Sequence, residues 1–493
     1  MKDLRDWITP EALAREVAIE GHAEGAKPDR RRASRAGQLV TGIAEAPAAS
    51  FPSVFPRGAD LEALYRFVNS DRFGWRDLLE PHVRCTAERA GGSKRVLVAH
   101  DTSDLSVAQF DSDTPRTNFA PLSSRKQGMK FHAGLAIRFD EGARPVPLGL
   151  VNVQPYVHRR ENVPPEFKAF WQEQGGWYPH EMKRWFEGVE RSEEALSGLD
   201  MPPVHVMDRE ADSYGLLSYL DRHGHAFVVR LVEQNRRDGE TGLKMSEALE
   251  SIPFVAVRTV KLGARSSLRN PAERTRHPPR KERQAELAIR AKRVVLKRPP
   301  KRDSLYTGVS WDEVPKQIEV NVVHALEVNP PSDQAPVQWL LLTSEPIDTT
   351  EDILRIVDFY RARWLIEEYF KALKTGCSLE KRQLASAEAM LKTLALLAPV
   401  AWRLLLIRYL ADDAPDLPGR GLLPDEAFRL LQAYAGKETL PDEATIHVVM
   451  YQLAALGGHR KNNGPPGWQT LGRGMEKLIA WMEGAALARG EQV

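Results

Sequence analysis

Three carboxylates stand where phosphoryl-transfer chemistry would need them. Asp101 closes the apolar run RVLVAHD, Asp208 closes VHVMD, and Glu367 lies within YRARWLIEEYFKALK (360–374). That third segment also carries Tyr360, Arg363, Lys371 and Lys374. At about 100° per helical residue, all five fall within roughly 80° of one another. Ala362, Leu365, Ile366, Tyr369 and Leu373 gather on the opposite side. One stripe therefore packs on a core while the other presents a carboxylate amid cations, an arrangement that can hold a metal beside phosphates. Taken in isolation, the same segment reads equally as a solvated amphipathic face with Glu and Lys four apart.

Side chains at the carboxyl ends of strands in an α/β sheet converge on the crevice where ligands bind. If the strands ending at Asp101 and Asp208 are neighbours, their carboxylates approach each other, and Glu367 can complete the cluster. Close acids cannot all stay ionised without cations. Two magnesium ions about 3.5–4 Å apart resolve the repulsion and suit in-line phosphoryl transfer. One ion activates water or a 3′-hydroxyl, and the other stabilises the leaving oxygen. Each aspartate reads alternatively as a turn residue or a cap. Thr102 and Ser103 follow Asp101, and Arg209, Glu210 and Asp212 follow Asp208. Spacing alone leaves both readings open.

The elements that must position these groups form a mixed α/β pattern. Residues 1–85 read as helical. Thr9-Pro10 suits a helix start. Asp29 is a candidate N-cap, followed by Arg30, Arg31, Arg32 and Arg35 in the first turns, where cations oppose the helix dipole and call for an anion. LEALYRFVNSDRFGW (61–75) predicts an amphipathic helix ending near Asn69. RVLVAHD predicts a strand that stops at Asp101. FHAGLAIRF (131–139) and VPLGLVNVQPYV (146–157) predict paired strands joined through Gly142. A helix over 179–196, the strand VHVMD, a helix over 211–224 capped by Gly224, and the strand HAFVVRL (225–231) continue the pattern. Residues 232–335 read as a β-rich insertion. WLLLTSEP (339–346) returns to core strand, and the chain is helical after Pro399.

Bulk properties narrow the class. At 493 residues there is room for two to four domains. The net charge of +2 hides a local excess: sixteen Lys and Arg against three acids between Arg258 and Arg302, a density that suits a polyanion or a solvated basic loop. Cys85 and Cys377 stand far apart, so neither a disulfide framework nor a zinc spacing is expected, and a reducing cytoplasm fits. The start, MKDLRDWITPEALAREV, has no apolar signal-peptide core. Met390–Leu410 is the most apolar stretch, interrupted by Lys392, Pro399, Arg403 and Arg408, and reads as a buried core helix rather than a membrane span.

With these motifs in order, the chain resembles bacterial cut-and-paste DDE transposases of the transposon-five, insertion-sequence-four type. Their signature is Tyr-x2-Arg-x3-Glu-x6-Lys, and Tyr360, Arg363, Glu367 and Lys374 reproduce every gap. The surroundings also match: RWLIEEYFKALKTG, the upstream QWLLLTSEP, DREAD around Asp208 and HDTSDLS around Asp101. LYRFVNSD and the C-terminal LGG also resemble their counterparts, the short LGG and DRRR pieces weakly.

The resemblance implies an RNase H-like catalytic core over 86–400 interrupted by a β-rich insertion at about 232–335. It implies a helical DNA-end-binding domain over 1–85 and a helical dimerisation domain over 401–493. It implies magnesium at Asp101, Asp208 and Glu367, with manganese as a substitute. The four steps implied are nicking of the transposon end, hairpin formation, hairpin opening and joining to target DNA, within a homodimeric synaptic complex. Hairpin formation requires a base to leave the stack. Trp339 matches the stacking tryptophan. Tyr360, Arg363 and Lys374 hold phosphates around the flipped nucleotide, and Arg230 matches a backbone-binding arginine. Trp364 is expected to pack beside the site. Arg30, Arg31 and Arg35 grip the end sequence. Lys371 has no place in the signature and is kept as a phosphate contact. The segment 107–129 departs from the family, and the insertion matches in position but poorly in sequence. Two other readings stand beside this one: a catalytically silent transposase-derived DNA-binding regulator, and a simple metal-dependent nuclease.

Overall fold

The computed structural model describes residues 4–18, 30–107, 117–123, 126–158, 163–178, 180–232, 236–263, 279–301, 306–332, 334, 336–460 and 464–490. The expected cap at Asp29, part of the 107–129 segment and the centre of the basic insertion lie outside these residues.

The chain opens with helices α1 (Pro10–Arg15), α2 (Arg30–Glu45), α3 (Phe51–Val54), α4 (Gly58–Val68) and α5 (Trp75–Ala90). Strands β1 (Val96–Ser106), β2 (Ala120–Ser123), β3 (Lys126–Arg138) and β4 (Val146–His158) follow, then α6 (Pro165–Glu173), β5 (Trp177–Tyr178) and α7 (Lys183–Ala195). Next come β6 (Val204–Met207), α8 (Tyr214–His223), β7 (Ala226–Arg230), α9 (Met245–Glu250), β8 (Ala256–Leu262), β9 (Arg283–Lys297), β10 (Gln317–Val328), β11 (Gln338–Thr343) and α10 (Thr350–Ala362). The chain closes with α11 (Trp364–Lys371), α12 (Ala387–Asp413), α13 (Asp425–Ala435), α14 (Ile446–Leu456) and α15 (Trp468–Ala488). Contacts divide it into two units, Met1–Met201 with Trp364–Val493, and Pro202–Arg363.

In the first unit, β3 pairs antiparallel with both β1 and β4, and β4 runs parallel to β5, so the sheet is mixed. The β3–β4 turn uses Gly142 at φ +76°, as expected. β1 differs from expectation: it does not stop at Asp101. It continues to Ser106 because β3 keeps pairing with it as far as Gly128. Polar residues that look like a turn in sequence are thereby held as strand. Thr9 caps α1 by accepting the Ala12 N–H at 3.1 Å, and α4 ends at Asn69.

Helix α12 is long and apolar enough to cross a membrane, yet 89 % of its apolar window is buried. It packs against α2, α4, α5 and β4. Its cations are fasteners. Lys392 reaches Glu388 at 2.7 Å and the Ser70 carbonyl. Arg403 donates to the Ile8 carbonyl at 2.7 Å, and burial pushes its pKa down to about 10. Unpaired charges would be prohibitive at such depth; here they join the core helix to the N-terminal helices. Cys85 and Cys377 are both free thiols.

In the second unit, β6 and β7 are parallel, and β7, β11, β10, β9 and β8 follow in antiparallel order. Gly224 caps α8 at φ +69°, a left-handed turn that glycine adopts without penalty. The insertion is β-rich, with α9 added. Much of the described part of its basic run has internal partners. Arg258 pairs with Asp358, Arg283 with Glu327 and Lys292 with Asp238, while Arg290 and Arg298 donate to backbone carbonyls. These cations build the insertion before they are available to any polyanion.

The expected continuous helix over 360–374 is interrupted. α10 ends at Ala362 and α11 runs from Trp364 to Lys371. Ala372–Gly376 then winds as a π-turn, with the Cys377 N–H donating to the Ala372 carbonyl at 2.8 Å. The wider turn brings Ala372, Leu373, Gly376 and Cys377 all into the interior. Lys374, inside the π-turn, therefore leaves the 3.6-residue period. Tyr360 and Arg363 belong to the second unit, and Glu367, Lys371 and Lys374 to the first.

Candidate active site

The second unit assembles its candidates at one sheet edge. The β6–β7 register pairs Met207 with Val229, so the next step sets Asp208 level with Arg230 at the carboxyl ends of both strands. β7 pairs Arg230 with Leu341, and the Leu231 N–H donates to the Leu340 carbonyl at 2.8 Å. β11 therefore enters the sheet at that same edge, bringing Gln338 and Trp339. Tyr360, near the end of α10, lies over it. The Trp339 and Tyr360 rings meet at 5.5 Å, and the Arg363 guanidinium stands 5.7 Å from the Tyr360 ring. Arg230 donates through Nη2 to the Gln338 carbonyl at 3.2 Å, and its Nη1 lies 3.5 Å from the Tyr360 hydroxyl. Residues 130 positions apart are thus side by side.

Asp208 is half-buried and caps a 3-10 turn over Arg209–Ala211, accepting the Glu210 N–H at 2.9 Å. The cap reading and the site reading are compatible here. One carboxylate oxygen anchors the side chain at the strand end, and a carboxylate offers further lone pairs. Asp212 then takes the Val232 N–H at 3.0 Å and pairs with Arg236, fastening the exit of β7 to the Asp208 turn.

In the first unit, Asp101 pairs across the ladder with Ala133, and Ser103 with Phe131. Opposed and alternate residues share a face. The Phe131 ring touches Phe370 of α11 at 5.0 Å, and α11 packs on β1. Asp101 therefore projects on the face that the Glu367 helix covers. Its Oδ1 accepts the Thr102 N–H at 2.7 Å. On the other face, the Thr102 hydroxyl lies 3.0 Å from His132 Nδ1 and accepts from Arg184 Nε at 3.0 Å. Burial, and then the Arg184 charge, push the His132 pKa well below its ordinary value, so this support is a neutral imidazole.

On α11, Glu367 and Glu368 have different surroundings. Glu368 accepts from Lys371 and Arg408 at 2.7 Å each and from Trp468 Nε1 at 2.9 Å. Burial alone would raise its pKa, but Lys371 and Arg408 outweigh this and lower it. Lys371 is thus engaged with Glu368, and its ammonium sits 4.8 Å from the Trp364 ring. Trp364 is 52 % exposed, at the start of the helix that carries Glu367. Lys374 is half-buried, and burial lowers its pKa, while Glu380 and Asp104 act in the opposite sense. Glu380 itself accepts from the Ser106 N–H at 2.7 Å, joining the π-turn region to the end of β1.

Arg30 and Arg31 are exposed on α2 and Arg35 is half-buried, with no acid in the first turn. The opposite face buries Ala36, Leu39, Val40 and Ile43. Residues 27–73 match the family model for transposase DNA-binding, and residues 191–400 match the transposase DDE domain. Together they support a DDE transposase. The DNA-binding match takes in Arg30, Arg31 and Arg35. The DDE match takes in Asp208, Arg230, Trp339, Tyr360, Arg363, Glu367, Lys371 and Lys374, and Asp101 precedes it. DDE transposase domains belong to nuclease and transferase enzymes that use divalent metals.

Sequence reasoning missed the residues that hold these groups in place. Arg184 and Thr102 stand behind Asp101. Gln338 lies 2.9 Å from His324 Nε2, and Arg290 donates to His324 Nδ1 at 3.2 Å. Burial and Arg290 push the His324 pKa down to about 4. Such partners come together only through strand pairing, and no local motif announces them.

Proposed function

We propose that this DDE transposase moves DNA by cut and paste, with Asp101, Asp208 and Glu367 as ligands of two magnesium ions in an RNase H-like core. The observation that carries the reading is the convergence of Arg230, Trp339, Tyr360 and Arg363 on the strand edge that ends in Asp208. Three carboxylates make a hard-oxygen donor set that fits magnesium or manganese. When bound, the metals supply Lewis-acid stabilisation and a nucleophilic oxygen for in-line displacement at phosphorus.

The protein's own residues orient the DNA. Arg230 and Arg363 offer guanidinium groups to phosphate oxygens, which they bind bidentately. Trp339 offers a ring face to an extruded base, as hairpin formation requires. Lys374 and Lys371 supply further cations on the Glu367 side, Lys371 by exchanging Glu368 for phosphate. Arg30, Arg31 and Arg35 on α2 hold the transposon-end duplex. The 1–85 region acts as the end-binding domain, 86–400 as the catalytic domain and 401–493 as the dimerisation region of a synaptic complex that also takes up target DNA. The protein works in the cytoplasm, at the nucleoid.

The test is cleavage of a duplex carrying the short inverted repeats that flank the reading frame, with magnesium or manganese present. Nicked, hairpin and double-strand-break products are expected in that order. Binding of ends without nicking would favour a silent regulator instead.

A further inference from the structure

On the face of β1 that α7 covers, three side chains meet at one hydroxyl. Arg184, in the first turn of α7, is only 4 % exposed. Its Nε donates to the Thr102 hydroxyl at 3.0 Å, and its Nη1 donates to the Glu181 carbonyl at 2.7 Å. His132 is fully buried and stands opposite Thr102 in the β1–β3 ladder. Its Nδ1 lies 3.0 Å from the same hydroxyl. The Tyr156 and Trp185 rings flank the guanidinium at 5.8 and 5.4 Å. A guanidinium can only donate, so the Thr102 oxygen accepts from Arg184 and its own hydrogen is left for His132. Both hydrogen-bonding directions of the hydroxyl are thereby set.

The backbone of the same residue carries this constraint across the strand. The Thr102 N–H donates to Asp101 Oδ1 at 2.7 Å. By strand alternation the Asp101 side chain stands on the opposite face from that of Thr102. A cap or a strand end would hold an aspartate through its own turn. Asp101 has neither, because β1 continues past it to Ser106. The direction of its carboxylate is therefore set by its neighbours.

We propose that Arg184 and Thr102 are positioning residues, which hold the Asp101 carboxylate in the direction that a divalent metal requires. The proposal rests on the reading of Asp101 as a metal ligand and deepens it. Metal-binding carboxylates are themselves hydrogen-bonded, and loss of such outer partners typically weakens metal affinity or activity about 10–100-fold. The planar fork of Arg184 suits the task. One nitrogen is tied to β1 and another to the turn before α7, so the guanidinium fixes Thr102 relative to that helix. A turn of the Thr102 side chain would break two buried hydrogen bonds, which makes other orientations costly.

The experiment reads Mn2+ binding without turnover. Full-length protein is bound to an inverted-repeat duplex that is already nicked and lacks the 3′-hydroxyl, and Mn2+ uptake is followed from the EPR signal of the free ion. Thr102→Val keeps the side-chain shape and removes the hydroxyl, and Arg184→Lys keeps the charge and removes the fork. Each is expected to weaken Mn2+ binding about 10–100-fold. Thr102→Ser restores the hydroxyl and is expected to bind Mn2+ as the wild type does. The Mg2+ concentration for half-maximal nicking of an intact end should rise in the same order. Each protein is measured below its own melting transition, since a merely structural role would lower that transition and leave the metal requirement unchanged. Asp101→Ala is the reference. If it binds Mn2+ weakly while Thr102→Val and Arg184→Lys bind like the wild type, the positioning role is overturned. Thr102→Ser as defective as Thr102→Val would overturn it too. Wild-type Mn2+ binding by Asp101→Ala would instead overturn the metal-ligand reading beneath it.

Discussion

The indole of Trp339 and the phenol of Tyr360 meet edge to face, with ring centroids 5.5 Å apart and planes at 63°. β11 supplies one ring and α10 the other, and Arg230 of β7 reaches the corner between them. Three separate elements thus form one aromatic and cationic surface beside Asp208. Base–aromatic stacking contributes about 1–3 kcal/mol. Trp339→Ala should therefore slow hairpin formation about 5- to 150-fold while leaving the first nick near its normal rate. Single-turnover gels that resolve nick from hairpin measure this; equal loss of both steps would argue against base stacking.

Arg30, Arg31 and Arg35 are separable by salt and by sequence. An arginine that only neutralises phosphate should, when changed to Ala, lower the salt dependence of end binding by about 0.9 in log–log slope. One that reads a base should cost about 1–3 kcal/mol on the cognate end and little on random duplex. Titrations at several salt concentrations against both duplexes assign each residue. If none of the three variants changes affinity or slope, α2 does not hold DNA.

Glu367 and Glu368 are neighbours with opposite predicted phenotypes. Glu368 has Lys371, Arg408 and Trp468 as partners, and its side chain is 18 % exposed. Glu368→Gln should cost about 2 kcal/mol, below the range for a fully buried pair, and lower the melting temperature by about 2–3 °C. Glu367→Gln should abolish cleavage, whereas Glu368→Gln should retain it. Thermal unfolding and cleavage assays on the two variants give a direct comparison; a reversal of the two phenotypes would invert the assignment.

Acid should destabilise the protein through its buried imidazoles. Burial lowers the pKa of His82, against the opposing pull of Glu16, and pushes that of His132 well below its ordinary value, so both rings take up protons at lower pH in the folded state than in the unfolded chain, where they do so near pH 6.5. Stability contributed by this difference is fully present above pH 6.5 and is lost progressively below it. Each imidazole contributes a slope of up to about 1.4 kcal/mol per pH unit. Denaturant melts between pH 7 and 5 should show the fall, and His132→Gln should make it shallower. An unchanged slope in the variant would remove His132 from the account.

Legibility from sequence followed the range of the interactions. Thr9, Asn69 and Gly224 act through neighbours a few positions away, and their roles as caps were readable. Asp208 was readable because β6 does end there. Asp101 was readable as an acid on an apolar strand, but not as a mid-strand residue, because the pairing that extends β1 to Ser106 is made by β3, from Gly128 onward. The break at Arg363 and the π-turn at Ala372–Gly376 were hidden by a good helical period in YRARWLIEEYFKALK; burial of Gly376 and Cys377 overrides that period. The basic stretch from Arg258 to Arg302 looked like a polyanion surface, and Glu327, Asp238 and Asp358, its partners, lie too far away in sequence to be matched by inspection. Arg184, Gln338 and His324 left no local signal for the same reason.

The central claim is that Asp101, Asp208 and Glu367 act as one metal-binding set. The most direct measurement is metal-dependent nicking of a transposon-end duplex by Asp101→Ala, Asp208→Ala and Glu367→Ala, each first shown to bind that duplex with wild-type affinity. The account predicts that all three bind and none nicks, in magnesium or in manganese. Wild-type nicking by any one of them would contradict it.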